Sequence, residues 1–257
     1  MTPRLKELLE SLIILDTETT HLDTRVAEII ELGIASYTNK WTYSSELFKP
    51  RVNHAQITPK ISSITGITDR MVEGKPTFAD VVDQYKSITS CQLIVAHNAP
   101  YDKKVLERYN IASSTNWLCT LKLARYAYQT DPTFEEFKLS YLRYKLMLDI
   151  PDDFVAHRAG EDAYMCGVLL ERIVTDLESK NKLDSDIPYA DQLIEISNKP
   201  LMLSSMPFGK HKDKPLDEVP MDYWIWALNN LDALDETKPE YNRDLAYTLE
   251  QYLSDKI

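Results

Sequence analysis

No apolar run in this 257-residue chain approaches the roughly 20 residues needed to cross a bilayer. A membrane span is therefore not expected. Cysteine is scarce: Cys91, Cys119 and Cys166 are odd in number and lack metal-ligand spacing. That argues against a disulfide framework or a thiolate metal site and for free buried thiols in a reducing cytoplasm. The opening MTPRLKELLESLIILD is no signal peptide, because charges interrupt it and its apolar run leads straight into Asp16. Internal repeats and low-complexity tracts are absent. Basic residues are also short, 29 against 40 acidic, for a net charge of −11.

That balance looks unfavourable for a protein that meets nucleic acid, but its distribution matters. Residues 1–180 hold 21 basic against 25 acidic residues, 181–198 hold 1 against 4, and 199–257 hold 7 against 11. Four carboxylates at one proposed site account for the deficit of the first segment. Two bound divalent cations would cancel it. Charge thus permits a nucleic-acid substrate and predicts weak non-specific affinity without metal.

What is present is the composition of an ordinary globular protein, 44% hydrophobic and 27% charged. LIILDTET reads as a buried strand with a polar end. AEIIELGIASYT and KWTYSSELFKP follow, with Asn39 at the turn between them, and predict an antiparallel meander. PTFADVVDQYKSI has helical spacing. CQLIVAHN reads as a strand, and PYDKKVLERYN as a helix with Pro100 in its first turn. TNWLCTLKLARYAYQ reads as a strand running into a helix, and LSYLRYKLMLD and AGEDAYMCGVLLERIVTDLESK as two more helices. Strands first, then alternation, indicate an α/β domain with a mixed sheet. Residues 181–200 are polar and acidic and are expected to be a linker with at most one helical turn. After residue 200, two β-like runs flank GKHKDK, and a helix is expected from Pro220 with Met221, Trp224, Ile225 and Leu228 on its apolar face. Fewer than 60 residues make a marginal core for such a module.

Asp16 and Glu18, two apart at a strand end, point the same way. Two adjacent anions repel, and a hard cation relieves that cost. Asp102 falls in the first turn of a helix, a place the helix dipole alone would explain. His157 and Asp162 are five apart, and on one regular helix five residues turn about 500°, so their side chains would diverge. The spacing works if His157 lies on the preceding loop and Asp162 in the first turn. Singly, each acid has a structural explanation. Together, four carboxylates and an imidazole are the inventory for two divalent cations and a base beside a phosphodiester.

LDTETTHL, HNAPYD and HRAGEDA resemble the three motifs of the DEDDh-type (DnaQ-like) 3′→5′ exonuclease family. PKISSITGITDRMVEGKPTFADVV resembles that family's connection between the first two, and the likeness runs from about residue 10 to 178. It implies an RNase H-like mixed five-stranded sheet flanked by helices over 1–180. It also implies that Asp16, Glu18 and Asp162 hold one Mg²⁺ beside the attacking water, and that Asp16 and Asp102 hold or neighbour a second, with Mn²⁺ as a substitute. His157 would be the base. Thr17, Thr19, Leu22, His97 and Asn98 would lie against the nucleotide, with Leu22 wedged on the terminal base. His21 stands where the family usually has glycine, and Tyr101 where phenylalanine is common.

MPFGKHKDKPLDEVPMDYWIWAL resembles the C-terminal region of exodeoxyribonuclease X-like proteins, with Asp213 where a glycine is usual. It implies a small α+β module over 201–257. Lys210, His211, Lys212 and Lys214 on a turn and Trp226 off the apolar stripe are candidate DNA contacts. The expected partner is DNA with a 3′ end, single- or double-stranded. RNA trimming and a proofreading role beside a polymerase are the alternatives, and a homodimer is a further arrangement.

Overall fold

The computed structural model describes residues 1–51, 56–91, 93–111, 116–212, 214–238 and 241–254, so Asp213 lies outside the described residues. The chain divides into two compact units, Met1–Ser197 and Asn198–Ile257.

In the first unit, helix α1 (Pro3–Glu10) leads into β1 (Leu12–Thr19), β2 (Ile29–Tyr37) and β3 (Trp41–Leu47). Short helices α2 (Pro59–Thr65), α3 (Asp69–Val72) and α4 (Phe78–Val81) follow, and a 3₁₀ stretch, Val82–Ser90, extends the last. The expected single helix over PTFADVVDQYKSI is thus one α-turn that tightens. Then come β4 (Leu93–Ala96), α5 (Pro100–Glu107), β5 (Asn116–Cys119), α6 (Thr120–Tyr128), α7 (Leu139–Lys145), α8 (Ala159–Ser179) and α9 (Tyr189–Asn198). The sheet order is β3-β2-β1-β4-β5. β1–β2–β3 pair antiparallel, whereas β4 and β5 run parallel to β1.

β1 is central, and its aliphatic run feeds both sheet faces, as strands buried on both sides do. Ile14 packs with Leu9, Leu169, Leu170 and Ile173 on one face. Leu15 packs with Ile94, Phe78, Val105 and Leu106 on the other. The long α8 buries Ala163, Cys166, Leu170, Ile173, Val174 and Leu177, spaced three and four apart to form one stripe. Its start presses on the sheet: a Cβ added at Gly33 would lie 2.0 Å from the Ala159 backbone. One at Gly160 would lie 2.9 Å from the Tyr43 ring.

Residues 181–200 depart from the expected linker. α9 occupies half of the segment, Leu193 is fully buried, and the Ser197 hydroxyl accepts the Cys119 N–H at 2.9 Å. The polar composition reflects the helix's outer face, and one apolar stripe is enough to hold it to the first unit.

The second unit contains α10 (Met221–Asn230) and α11 (Arg243–Ser254) around Met206, Leu216, Trp224, Leu245 and Leu249. The two β-like runs give one isolated bridge, Ser205 to Pro215, among the described residues, so the module is largely helical rather than α+β. The apolar face read for α10 is not the face it buries. Trp224 and Ala227 are buried, whereas Met221, Ile225 and Leu228 are exposed. Among the described residues no helix is long and apolar enough to cross a membrane.

Candidate active site

The acids gather where β1 ends. Asp16 and Glu18 leave β1 on the face covered by α8, and both are part-exposed. A bulge follows at once: Glu18 pairs with Glu31, but Thr19 pairs with Ile29. Such a bulge ends regular pairing and re-aims the chain beyond it. Asp102 arrives from the opposite layer, in the first turn of α5, and is 3% exposed. Its Oδ1 accepts the Thr17 N–H at 3.0 Å and the Thr17 hydroxyl at 2.7 Å, which pins it to the end of the central strand.

Asp162 sits in the first turn of α8, and His157 on the loop before it. His157 has a left-handed backbone, φ +65°, rare for a residue with a side chain. That turn directs its N–H to Asp162 Oδ2 at 2.8 Å, while the Glu161 carboxylate accepts the Val155 N–H. The loop is therefore tied twice to the helix it precedes. Ligand atoms of Glu18, His157 and Asp162 all lie within 4.8 Å of one another.

Crowding sets the electrostatics. Desolvation raises the Asp16 pKa well above its usual value, and Asp102, Asp162, Glu18 and Glu31 push it further. Burial, then Asp162, Glu31 and Asp102, lift Glu18 to about 8, with Arg158 opposing. Burial lifts Asp102 to about 7 against the Thr17 hydrogen bonds, and Asp162 to about 7 against the His157 N–H. Acids held near neutrality beside one another favour a proton or a cation in their midst. Hard oxygen ligands with one imidazole suit a hard divalent ion.

Sequence reasoning did not single out Glu31. It is fully buried and takes Arg158 through Nε at 3.2 Å and Nη2 at 2.9 Å, the Ala159 N–H at 3.1 Å and the Ser45 hydroxyl at 2.9 Å. Its only signal is an acid within an apolar strand, AEIIELG. Glu31 anchors the start of α8, and with it Asp162.

The remaining expected contacts divide. Leu22 is 84% exposed beyond the end of β1, and Asn98 is exposed with φ +66° before α5. Both face solvent. Thr17 and Thr19 are buried, Thr17 spent on Asp102 and Thr19 on the His21 carbonyl at 3.0 Å. His97 does not present a free nitrogen. Nδ1 meets the Thr120 hydroxyl at 3.0 Å and Nε2 donates to the Phe137 carbonyl at 2.9 Å. Burial lowers its pKa to about 4, so the ring is a neutral internal strut. The two departures from the family pattern meet: the Tyr101 hydroxyl donates to the His21 carbonyl at 2.6 Å. In the second unit Lys210, Lys212 and Lys214 are exposed and Trp226 is 49% exposed. His211 is buried against Tyr223, ring centroids 4.5 Å apart, and is withdrawn from the expected contact set.

The sequence profile of the exonuclease family (RNase_T) matches residues 13–170. The chain belongs to this exonuclease family. It is a 3′→5′ exonuclease of the DnaQ-like type. Exodeoxyribonuclease 10 of Escherichia coli K12 is 29% identical over 246 residues, which cover 93% of this exonuclease and 97% of the relative. A PolC-type DNA polymerase III of Halalkalibacterium halodurans is 32% identical over 187 residues, covering 70% of this chain and 12% of the polymerase. Among solved structures, exonuclease X bound to 5′-overhanging duplex DNA superposes with a TM-score of 0.56 at 29% identity, covering 73% of this chain and 99% of that one. The fold is that of the mixed five-stranded exonucleases, and divalent-metal dependence goes with the family.

Proposed function

We propose that this exonuclease removes nucleotides from the 3′ ends of DNA as nucleoside 5′-monophosphates, with Mg²⁺ as its cation, in DNA repair or degradation. The observation that carries the reading is the meeting of Asp16, Glu18, Asp102 and Asp162 in one mutually repelling cluster with His157 at its mouth. Likeness to an exodeoxyribonuclease along nearly the full length of both chains supports DNA as substrate.

Asp16, Glu18 and Asp162 would hold one cation, and Asp16 with Asp102 the second. Cations bound there would supply charge stabilisation for the phosphodiester transition state and would make water a better nucleophile. His157, on its loop at the solvent boundary, takes the proton of the attacking water. Its side chain is free to do so because its backbone N–H, not its ring, makes the bond to Asp162. Leu22 lies against the terminal base and Asn98 near the nucleotide, both from exposed positions flanking the acids.

Purified protein incubated with 5′-labelled single-stranded DNA, duplex DNA and RNA, with Mg²⁺ and with chelator, tests the reading. A ladder shortening from the 3′ side on DNA, absent with chelator and with Asp16→Ala, is the expected result. Digestion by Asp16→Ala at the wild-type rate, or a clear preference for RNA, would overturn it.

A further inference from the structure

Three of the seven basic residues after position 198 fall within 210–214. Gly209–His211 is a single 3₁₀ turn entered through Gly209 at φ +78°, and the Lys212 N–H closes onto the Gly209 carbonyl at 3.1 Å. His211 turns inward and packs edge-on against Tyr223 of α10. Lys210 and Lys212, on either side of it, are exposed. Tyr223 in turn lies 5.4 Å, centroid to centroid, from the half-exposed Trp226. The buried histidine thus fixes a cationic turn beside an indole that tyrosine supports from behind.

We infer that Lys210, Lys212 and Trp226 form a binding surface for single-stranded nucleic acid on the second unit. Two ammonium groups on a short rigid turn complement successive phosphates, and an exposed indole backed by another ring offers a face to an unpaired base. The surface needs no base-edge hydrogen bonds, so it is sequence-tolerant. Its role is to retain a strand between rounds of cleavage.

The competing occupant is a protein, a second copy included, because Ile225 and Leu228 on the same helix are also exposed. The full-length protein is titrated in chelator with a fluorescent oligothymidylate, by anisotropy, at several salt concentrations. Lys210→Ala with Lys212→Ala weakens binding and lowers the salt slope by about 1.4, two single-strand phosphate contacts. Trp226→Ala weakens binding about tenfold, and Trp226→Phe restores most of it. Hydrolysis of the p-nitrophenyl ester of thymidine 5′-monophosphate, a single nucleotide with no strand to retain, stays at the wild-type rate in all three. Unchanged affinity and slope in the lysine and tryptophan variants would overturn the inference. So would an equal loss from Ile225→Glu accompanied by dissociation of a dimer in sedimentation.

Discussion

Glu31 and Arg158, 127 positions apart, meet through two guanidinium hydrogen bonds at the junction of β2 and α8. Glu31 stands directly opposite Glu18 in the β1–β2 register. One strand pair therefore supplies an acid to the cluster and an acid to the clamp that fixes the helix carrying Asp162. Arg158→Ala would leave a buried carboxylate without its counter-charge, held by the Ala159 N–H and the Ser45 hydroxyl, costing about 2 kcal/mol of stability. Glu31→Gln keeps the shape and costs less. Chemical denaturation checks the order. An unchanged midpoint for Arg158→Ala would mean that the pair does not hold the helix.

The raised carboxylates make the metal-free protein sensitive to alkali. In the unfolded chain these acids titrate near ~4, whereas Glu18 is lifted to about 8 and Asp102 and Asp162 to about 7 in the fold. Between those limits the folded state binds more protons, so stability falls as pH rises through the window. Thermal melts in chelator should show a lower Tm at pH 8.5 than at pH 5.5 from this cluster. Added Mn²⁺ should reverse the loss and release protons, and calorimetry in buffers of different ionisation enthalpy counts them. Cation binding with no proton release at pH 6.5 would contradict the shifts.

Removing one acid should trade activity for stability. Asp16→Asn abolishes hydrolysis yet relieves repulsion from Asp102, Asp162 and Glu18. In chelator it should be more stable than the wild type by about 1–2 kcal/mol. A variant less stable than the wild type would show that Asp16 is not held at a cost.

Tyr101 ties α5 to the turn that presents Leu22, because its hydroxyl donates to the His21 carbonyl and also contacts the Thr19 hydroxyl. Tyr101→Phe removes a bond worth about 1 kcal/mol without touching an acid. KM for a 3′ end should rise several-fold while kcat changes little. Steady-state kinetics on a short oligonucleotide separates the two, and a fall in kcat alone would assign Tyr101 to the chemistry instead.

The acids were legible because each lies in a local context that fixes its place: Asp16 and Glu18 at a strand end, Asp102 and Asp162 in first helical turns. Glu31 was not, because nothing in AEIIELG signals a partner beyond residue 150. Periodicity failed on α10 for a related reason. Two apolar faces exist there, and only packing chooses Trp224 and Ala227 over Ile225 and Leu228. His211 reads as part of a basic turn, yet its aromatic ring found Tyr223. In 181–200 the acidic residues masked a helix whose hold on the domain rests on a few side chains such as Leu193 and Ser197.

Gly33 faces Asp16 across the strand pair and lies under the first residue of α8, with no room for even a methyl group. The gap between the acids of β1 and the acid of α8 is therefore gauged by a missing carbon. A relative with every carboxylate intact but alanine at this position would carry its third motif too far out. It would be a silent nuclease whose motifs still look complete.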